Sequence, residues 1–361
     1  MKKVLIFCMA FLLLVPALFA DDAKVMPVRV GRLYLAPSFI FGDQAFDNKG
    51  NLKSANSLSM FNLGVVLEYG VISWISAAIQ WAPGINIWSE VDAGLPVDTV
   101  INDMGDLFVG AKIQVMGSQA PIRTDDYRLA FAPGIKIPMP GPDFKKEMDE
   151  DPMTVAKIDN HVLGLGLRTY FDYIINDKFF INFYNEIIYY PMPGKIKNHS
   201  PQAYGATLGM DSGNANVNEM APGTGNLFDY SNKVDYGYDL TFEVEGVYSH
   251  NIAENTPLSL SLALNYQTSP GAKFDYSYNK NHPILQHPVA GPQFQEGIDS
   301  VNAILDSKQS QLITIKPSVS LFFMDWGLPT EFKLTYFAPV WGMNEGANHT
   351  INFQVRAYFR I

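Results

Sequence analysis

About a dozen strand-length stretches of this chain alternate apolar and polar residues, and the gaps between them are short and long in turn. From Pro257 to Gln267, Leu258, Leu260, Leu262, Leu264 and Tyr266 hold one parity, and Ser259, Ser261, Ala263 and Asn265 hold the other. Successive side chains of a strand point to opposite faces, so each such stretch has one greasy face and one polar face. A soluble sandwich would turn the greasy face to a core. A closed membrane barrel would turn it to lipid and the polar face to a lumen.

The parity pattern places strands near 30–41, 58–69, 71–82, 104–116, 126–138, 160–174, 178–190, 235–250, 257–268, 311–324, 330–338 and 350–361. That is twelve, with fourteen as the alternative count. The gaps after the second, fourth, sixth, eighth and tenth strands are short, whereas the others are long, 191–234 and 269–310 most of all. Strict alternation of gap length puts every long loop on one side. In outer-membrane barrels that side is extracellular and the short turns are periplasmic. Loops beyond about 12–15 residues are uncommon in compact soluble domains. The expected fold is therefore all-β, a single transmembrane antiparallel barrel over residues 21–361.

The N-terminus supports export. Lys2 and Lys3 precede an apolar run from Val4 to Phe19, and Ala20 stands before Asp21-Asp22, the pattern of a removable signal peptide over residues 1–20. The only cysteine, Cys8, lies within that run, so the remainder has no thiol chemistry. Removing two lysines moves the formal charge from −10 to −12, which argues against a nucleic-acid partner. Beyond the leader no run of about 18 apolar residues occurs, which excludes helical spans and leaves strands to cross a bilayer.

With the apolar parity facing lipid, the opposite parity carries Arg32, Lys112, Arg128, Lys136, Arg168, Lys316, Lys333 and Arg356, with Glu68, Asp106, Asp172, Glu186, Asp239, Glu243, Glu245 and Glu331. A Lys or Arg facing mid-bilayer lipid costs about 2–4 kcal/mol, so the sorting is what stability requires. Candidate lumen-lining residues are Lys112, Lys136, Arg168, Glu186, Glu243, Glu245, Lys316 and Arg356. They form either a scaffold of paired charges or, for the four cations Lys112, Arg168, Lys316 and Arg356 near mid-depth, contacts to the head group of a passing solute. Trp81, Trp88, Tyr189, Tyr190, Tyr236, Tyr238 and Trp341 fall near the outer rim, and Trp74, Tyr173, Tyr248 and Trp326 near the inner rim, as in an aromatic girdle.

Proline marks one further place. Pro133-Gly134 lies inside the fifth strand, across from Gly164-x-Gly166 on the sixth. Proline cannot donate to a strand ladder, so these four residues are a candidate lateral opening, the alternative being a strand that flexes without opening. Of the loops, 295–308 has helical spacing through Ile298, Val301 and Leu305, and Lys145 to Asp151 reads as a solvated acidic tip. No catalytic constellation is expected: none of His161, His199, His250, His282, His287 and His349 has a serine two positions later, the motif of twelve-strand outer-membrane phospholipases. His161 is expected at the outer rim, bonded to water. No metal-ligand spacing appears, and no cofactor is expected.

Gly105-Asp106-Leu107-Phe108-Val109-Gly110-Ala111-Lys112, followed by Leu129 to Pro138 (LAFAPGIKIP), resembles outer-membrane transporters of the meta-pathway phenol degradation family, akin to the FadL-like fatty acid and aromatic hydrocarbon channels. The resemblance implies passive uptake of small hydrophobic or amphipathic solutes across the outer membrane of a diderm bacterium, with lateral release. The alternatives are a general diffusion porin and a non-transporting surface or adhesin barrel. Expected partners are outer-membrane lipids, the barrel-assembly machinery, which would read the apolar parity from Ile351 to Ile361, and the solute. FadL channels have fourteen strands and a long N-terminal hatch. Here only Asp21 to Arg29 precede the first strand, so an inward fold of 191–234 or 269–310 is expected to replace the hatch.

Overall fold

The computed structural model describes residues 22–90, 98–140, 160–197, 231–275, 286, 288, 291–292 and 308–360. Twelve antiparallel strands form a closed barrel. They are β1 (Val30–Phe46), β2 (Leu52–Ile72), β3 (Ile75–Glu90), β4 (Leu107–Met116), β5 (Tyr127–Ile137) and β6 (Gly164–Asn176), then β7 (Phe179–Tyr189), β8 (Tyr238–Ala253), β9 (Thr256–Ser269), β10 (Ser310–Phe323), β11 (Thr330–Met343) and β12 (His349–Arg360). Each pairs with its sequence neighbours, and β12 returns to β1 in register from Val30↔Arg360 to Phe41↔His349. Closure leaves no open edge, and in hydrocarbon every backbone N–H and C=O has to be satisfied within the protein.

The burial pattern is that of a globular protein turned inside out. On β9, Leu262 is 60% exposed while Ala263 beside it is 2% exposed. Leu33, Leu35 and Phe39 of β1 are exposed, whereas Arg32, Ser38 and, on β6, Arg168 and Asp172 are buried. Apolar side chains face outward and charged ones inward, as the parity of the sequence requires for a wall bathed in lipid.

Several expectations are corrected. The first gap, expected as a long loop from 42 to 57, is mostly strand: β1 and β2 stay paired past the bulge at Gly42/Gln44 as far as Phe46↔Leu52. Asp47 explains the tight tip, because its carboxylate accepts from the backbone N–H groups of Lys49 (2.8 Å) and Asn51 (2.9 Å) and pairs with Lys53 (2.7 Å). Those partners hold its pKa well below the usual carboxylate range, the Lys53 contact most of all. The last gap likewise holds a short strand, Glu345–Gly346, on β1. Asp98–Asp103 extends the sheet beside β3, and Gly194–Lys197, Ser231–Asp235 and Lys273–Asp275 form a separate three-stranded sheet. Tyr190 and Tyr236 are not girdle residues, since both are buried in a cluster with Val162, Ile188, Val234 and Ala272. The signal segment 1–20, the side chain of Trp88, the acidic tip 145–151 and residues 295–307 of the expected helix lie outside the described residues.

The segment before β1 turns inward; most of the two loops expected to do so, including 198–230 and 276–285, lies outside the described residues. Arg29 adopts a left-handed φ of 63°, Val30 N donates to Pro27 O (3.0 Å), and Arg29 N donates to Gly70 O (3.0 Å). This turn sends Asp22–Val28 back inside the barrel at the end that carries the short turns. Gly70 has to be glycine there, because a Cβ would lie 2.1 Å from Pro27 O.

Candidate functional site

The inserted segment is held by groups from three strands. Lys112 Nζ, over the face of Tyr170 at 4.4 Å, donates to Asp22 O (3.0 Å) and Lys24 O (3.3 Å). Ala23 N donates to Asp172 Oδ2 (3.1 Å), and Asp22 Oδ2 meets Arg128 Nη1 at 3.4 Å. Asp172 is itself bound by Arg128 (3.3 Å) and Asn182 (2.7 Å). Ala23 packs against Ala130, Ala132, Tyr170 and Tyr184, where a larger side chain would have no room. Buried backbone amides and carbonyls must be paired, and here the lumen charges supply the partners.

All eight lumen-lining candidates are buried on the inward parity, and every one has a partner. Arg168 pairs with Glu186, and Lys316 with Glu243 (2.5 Å), which also accepts from Asn265 (2.8 Å). Lys333 meets Glu245 at 3.9 Å, and Arg356 reaches Glu331 (3.3 Å) and Gln354 (2.7 Å). Lys136 lies toward the long-loop end, 3.7 Å from Asp106 and 3.4 Å from the Tyr190 hydroxyl, which donates to Asp239 (2.7 Å). His161 is not a water-facing rim residue: its Nδ1 is 3.2 Å from Asp106 Oδ1. Rings cover the cations, with Arg168 on Phe108 at 4.2 Å, Lys316 on Phe337 at 4.8 Å and Arg356 on Tyr34 at 4.9 Å. A buried ion without a partner costs several kcal/mol, so such pairing is the condition for charges at this depth.

The four wall residues come together, but the break lies on the other side of the fifth strand from the one expected. Between β5 and β6 the ladder is continuous through Pro133↔Leu167, Gly134↔Gly166 and Lys136↔Gly164. Between β4 and β5 the register runs to Gly110↔Gly134 and resumes at Ile113↔Phe131, leaving Ala111 and Lys112 opposite Pro133 and Ala132 without ladder pairing. Gly110, Gly134 and Gly166 make a patch without side chains, and the ring of Phe108 lies over it from inside: a Cβ on Gly134 would come within 2.3 Å of Phe108 Cζ, and one on Gly166 within 2.6 Å of its Cε2. Phe108 stood in the quoted motif and Gln80 on the inward parity of β3, but nothing in the sequence singled out either.

Beyond the inserted segment, toward the short turns, a cavity of about 660 Å³ opens. Ser249, Ser259, Ser261, Ser318 and Ser320 line one wall, and Lys24, Arg128, Glu331 and Lys333 face the same space. Ser249 and Ser259 are hydrogen-bonded at 2.8 Å, and Ser261 bonds Ser318. The chamber sets these hydroxyls and charges among apolar groups, Met26, Ile174, Phe180, Val247 and Phe322 among them. Among the described residues no group of three or more His, Cys, Asp or Glu is arranged to hold a metal ion.

No protein-family model and no curated protein matches the chain. Solved structures do. A crystal structure of an outer membrane channel from Pseudomonas putida F1 is similar over 94% of this chain and 99% of that one, at 12% identity and a TM-score of 0.57. The β domain of the Bordetella autotransporter BrkA (92% and 100% covered, 9% identity, TM-score 0.44) and a Pseudomonas aeruginosa FadL homologue (96% and 95%, 11%, 0.39) align too loosely to carry an argument. The first of these establishes the architecture: the chain has the fold of an outer-membrane β-barrel.

Proposed function

We propose that the protein is an outer-membrane channel for passive uptake of hydrophobic or amphipathic small molecules, of the kind represented by long-chain fatty acids and aromatic compounds, with release sideways through the wall. The observation that carries this reading is the contrast between two exits. Straight ahead, Asp22–Lys24 is bound across the lumen, and the chamber beyond sets serine hydroxyls and charges among its apolar lining. An apolar solute gains less there than in lipid, since burial away from water at about 25 cal/mol per Å² is what drives such a molecule and the hydroxyls and charges keep part of the chamber wet. Sideways, the β4/β5 wall lacks two ladder pairs beside Pro133, and lipid, where that gain is kept, lies beyond it. The P. putida neighbour is described as an outer membrane channel, which agrees with this reading.

Export by cleavage after Ala20, insertion by the barrel-assembly machinery and residence among outer-membrane lipids complete the proposal. None of it calls for a catalytic group or cofactor. The test is a proteoliposome assay of the full chain comparing transfer of a fluorescent fatty acid with ion conductance in a planar bilayer. Rapid transfer with small conductance is expected. Large conductance without transfer would replace the reading by a general porin, and neither activity would leave a surface barrel.

A further inference from the structure

We propose that Gln80, Phe108 and Arg168 form an inner bar that holds the β4/β5 seam shut, so that the Arg168–Gln80 hydrogen bond sets how often the seam opens. The proposal rests on lateral release as the function, and it deepens that reading by naming the residues that govern it.

Three observations converge on these side chains. Arg168 stands on β6 and Gln80 on β3, so their hydrogen bond (Nη1 to Oε1, 2.7 Å) passes over both β4 and β5, the two strands whose ladder is interrupted between Gly110↔Gly134 and Ile113↔Phe131. The guanidinium lies on the ring of Phe108 at 4.2 Å, and that ring covers the glycine patch from inside. At its other end Arg168 is anchored by Glu186 on β7. The bar therefore runs β7–β6–β3, fixed at one end by an ion pair and at the other by a single contact to a neutral amide. Both hydrogen bonds have a charged donor, but the one to Glu186 adds the Coulomb attraction of a full opposite charge that the amide of Gln80 does not carry. Arg168 keeps Glu186 when the bar lifts and gives up Gln80, and Phe108 then swings clear of Gly134 and Gly166. The expected reading of Arg168 as a head-group contact gives way to a positioning role, acting through Phe108 on the wall.

The test uses the full chain in liposomes and three kinds of variant. Gln80→Leu removes the acceptor and keeps the bulk, and Gln80→Glu replaces a neutral acceptor by a charged one. The readouts are fatty-acid transfer and hydrogen exchange of the Ala111, Lys112 and Ile113 amides, with the amides paired between β8 and β9 as reference. Gln80→Leu is expected to raise both rates about fivefold, the equivalent of one net hydrogen bond, and Gln80→Glu to lower both by a similar factor. A merely structural role would not move two variants of one residue in opposite directions. The third variant pairs Val109→Cys with Ile135→Cys, directly opposed in register at the upper edge of the seam. Oxidation is expected to stop transfer and reduction to restore it, Cys8 being the only native cysteine. Exchange at the seam that ignores both Gln80 variants overturns the bar, whatever the transport result. Exchange that responds while the wild-type protein transfers no fatty acid upholds the bar and overturns the function it was proposed to serve.

Discussion

The walls on opposite sides of this barrel are built to different standards. From β8 to β10 the ladder runs without a gap apart from a bulge at Asn251/Ala253 by the turn: Glu243 stands beside Asn265 and Asn265 beside Thr314, and Glu243 bonds both Asn265 and Lys316. From β4 to β6 the same twelve-strand plan carries a proline with no N–H to give, three glycines and a phenylalanine lying where their side chains would be. Charges are paired in both. The same two-position gap recurs beside Pro317 between β10 and β11 and beside Pro37 between β1 and β12, so what sets the β4/β5 stretch apart is its three glycines and the Phe108 ring laid over them. A wall of the second kind is held by contacts that can be exchanged one at a time.

That contrast is open to direct attack. The largest effect is expected from Arg168→Ala, which leaves Glu186 buried without its cation and takes away the bar, at a cost of about 3–5 kcal/mol. Urea unfolding in detergent checks the stability. Lys316→Ala on β10 is expected to destabilise comparably while leaving exchange at the β4/β5 seam unchanged, and a faster seam in that variant would erase the distinction. Next comes glycine. Gly134→Ala forces a Cβ to within 2.3 Å of Phe108 and is expected to cost about 1–3 kcal/mol, whereas Gly246→Ala on β8, whose Cβ would meet Phe179 at 3.7 Å, is expected to be nearly neutral. Thermal unfolding of the two variants side by side gives the answer. Smaller again, Pro133→Ala supplies the missing donor and is expected to add about 1 kcal/mol while slowing fatty-acid transfer. Unaltered transfer with tighter seam amides would detach the break from release.

The smallest effect is local and lies away from both walls. Glu345, in the hairpin between β11 and β12 beyond the membrane span, is buried, with its Oε2 lacking a hydrogen-bond partner, and burial pushes its carboxyl up to about 8. Because the folded value is raised, the closed hairpin holds its proton where the open one, near the ordinary 4.5, has lost it. Closure is then fully favoured below about pH 4.5 and weakens as pH rises toward 8. Amide exchange at Gly346 and Ala347 is expected to quicken over that window, beyond the ordinary base dependence, and Glu345→Gln to remove the excess. A seam that responded over the same window would mean that rim and wall are coupled.

How much of this was legible in the sequence follows from what strand periodicity encodes. Period two tells which side chains share a face, so the twelve strands and the inward charges could be read from Arg32 to Arg356. It does not tell which neighbour a given N–H addresses. Alternate residues of a strand present their backbone groups to opposite neighbours, and the assignment depends on register; hence Pro133 was read against β6, whereas the pairs missing beside it are those with β4. Tyr190 and Tyr236 misled for a related reason, since beyond the membrane the rule that sends aromatics outward lapses and a small cluster at the mouth can claim them. Asp22 to Arg29 gave no signal at all. Its place is fixed by backbone groups meeting Lys112 and Asp172, and backbone looks the same in every sequence.

Ring closure also bears on how the molecule comes into being. β1 is flanked by β2, its immediate successor, and by β12, with Val30 beside Arg360. Contacts that distant in sequence form late, because the intervening chain must first be ordered. Asp22–Val28 hangs from the leading end of β1, yet Asp22, Ala23 and Lys24 are tied across the lumen to Lys112, Arg128 and Asp172. The joint between β1 and β12 and the joint assigned to solute release are thus on different strands, although each lacks two ladder pairs beside a proline, Pro37 in the one and Pro133 in the other.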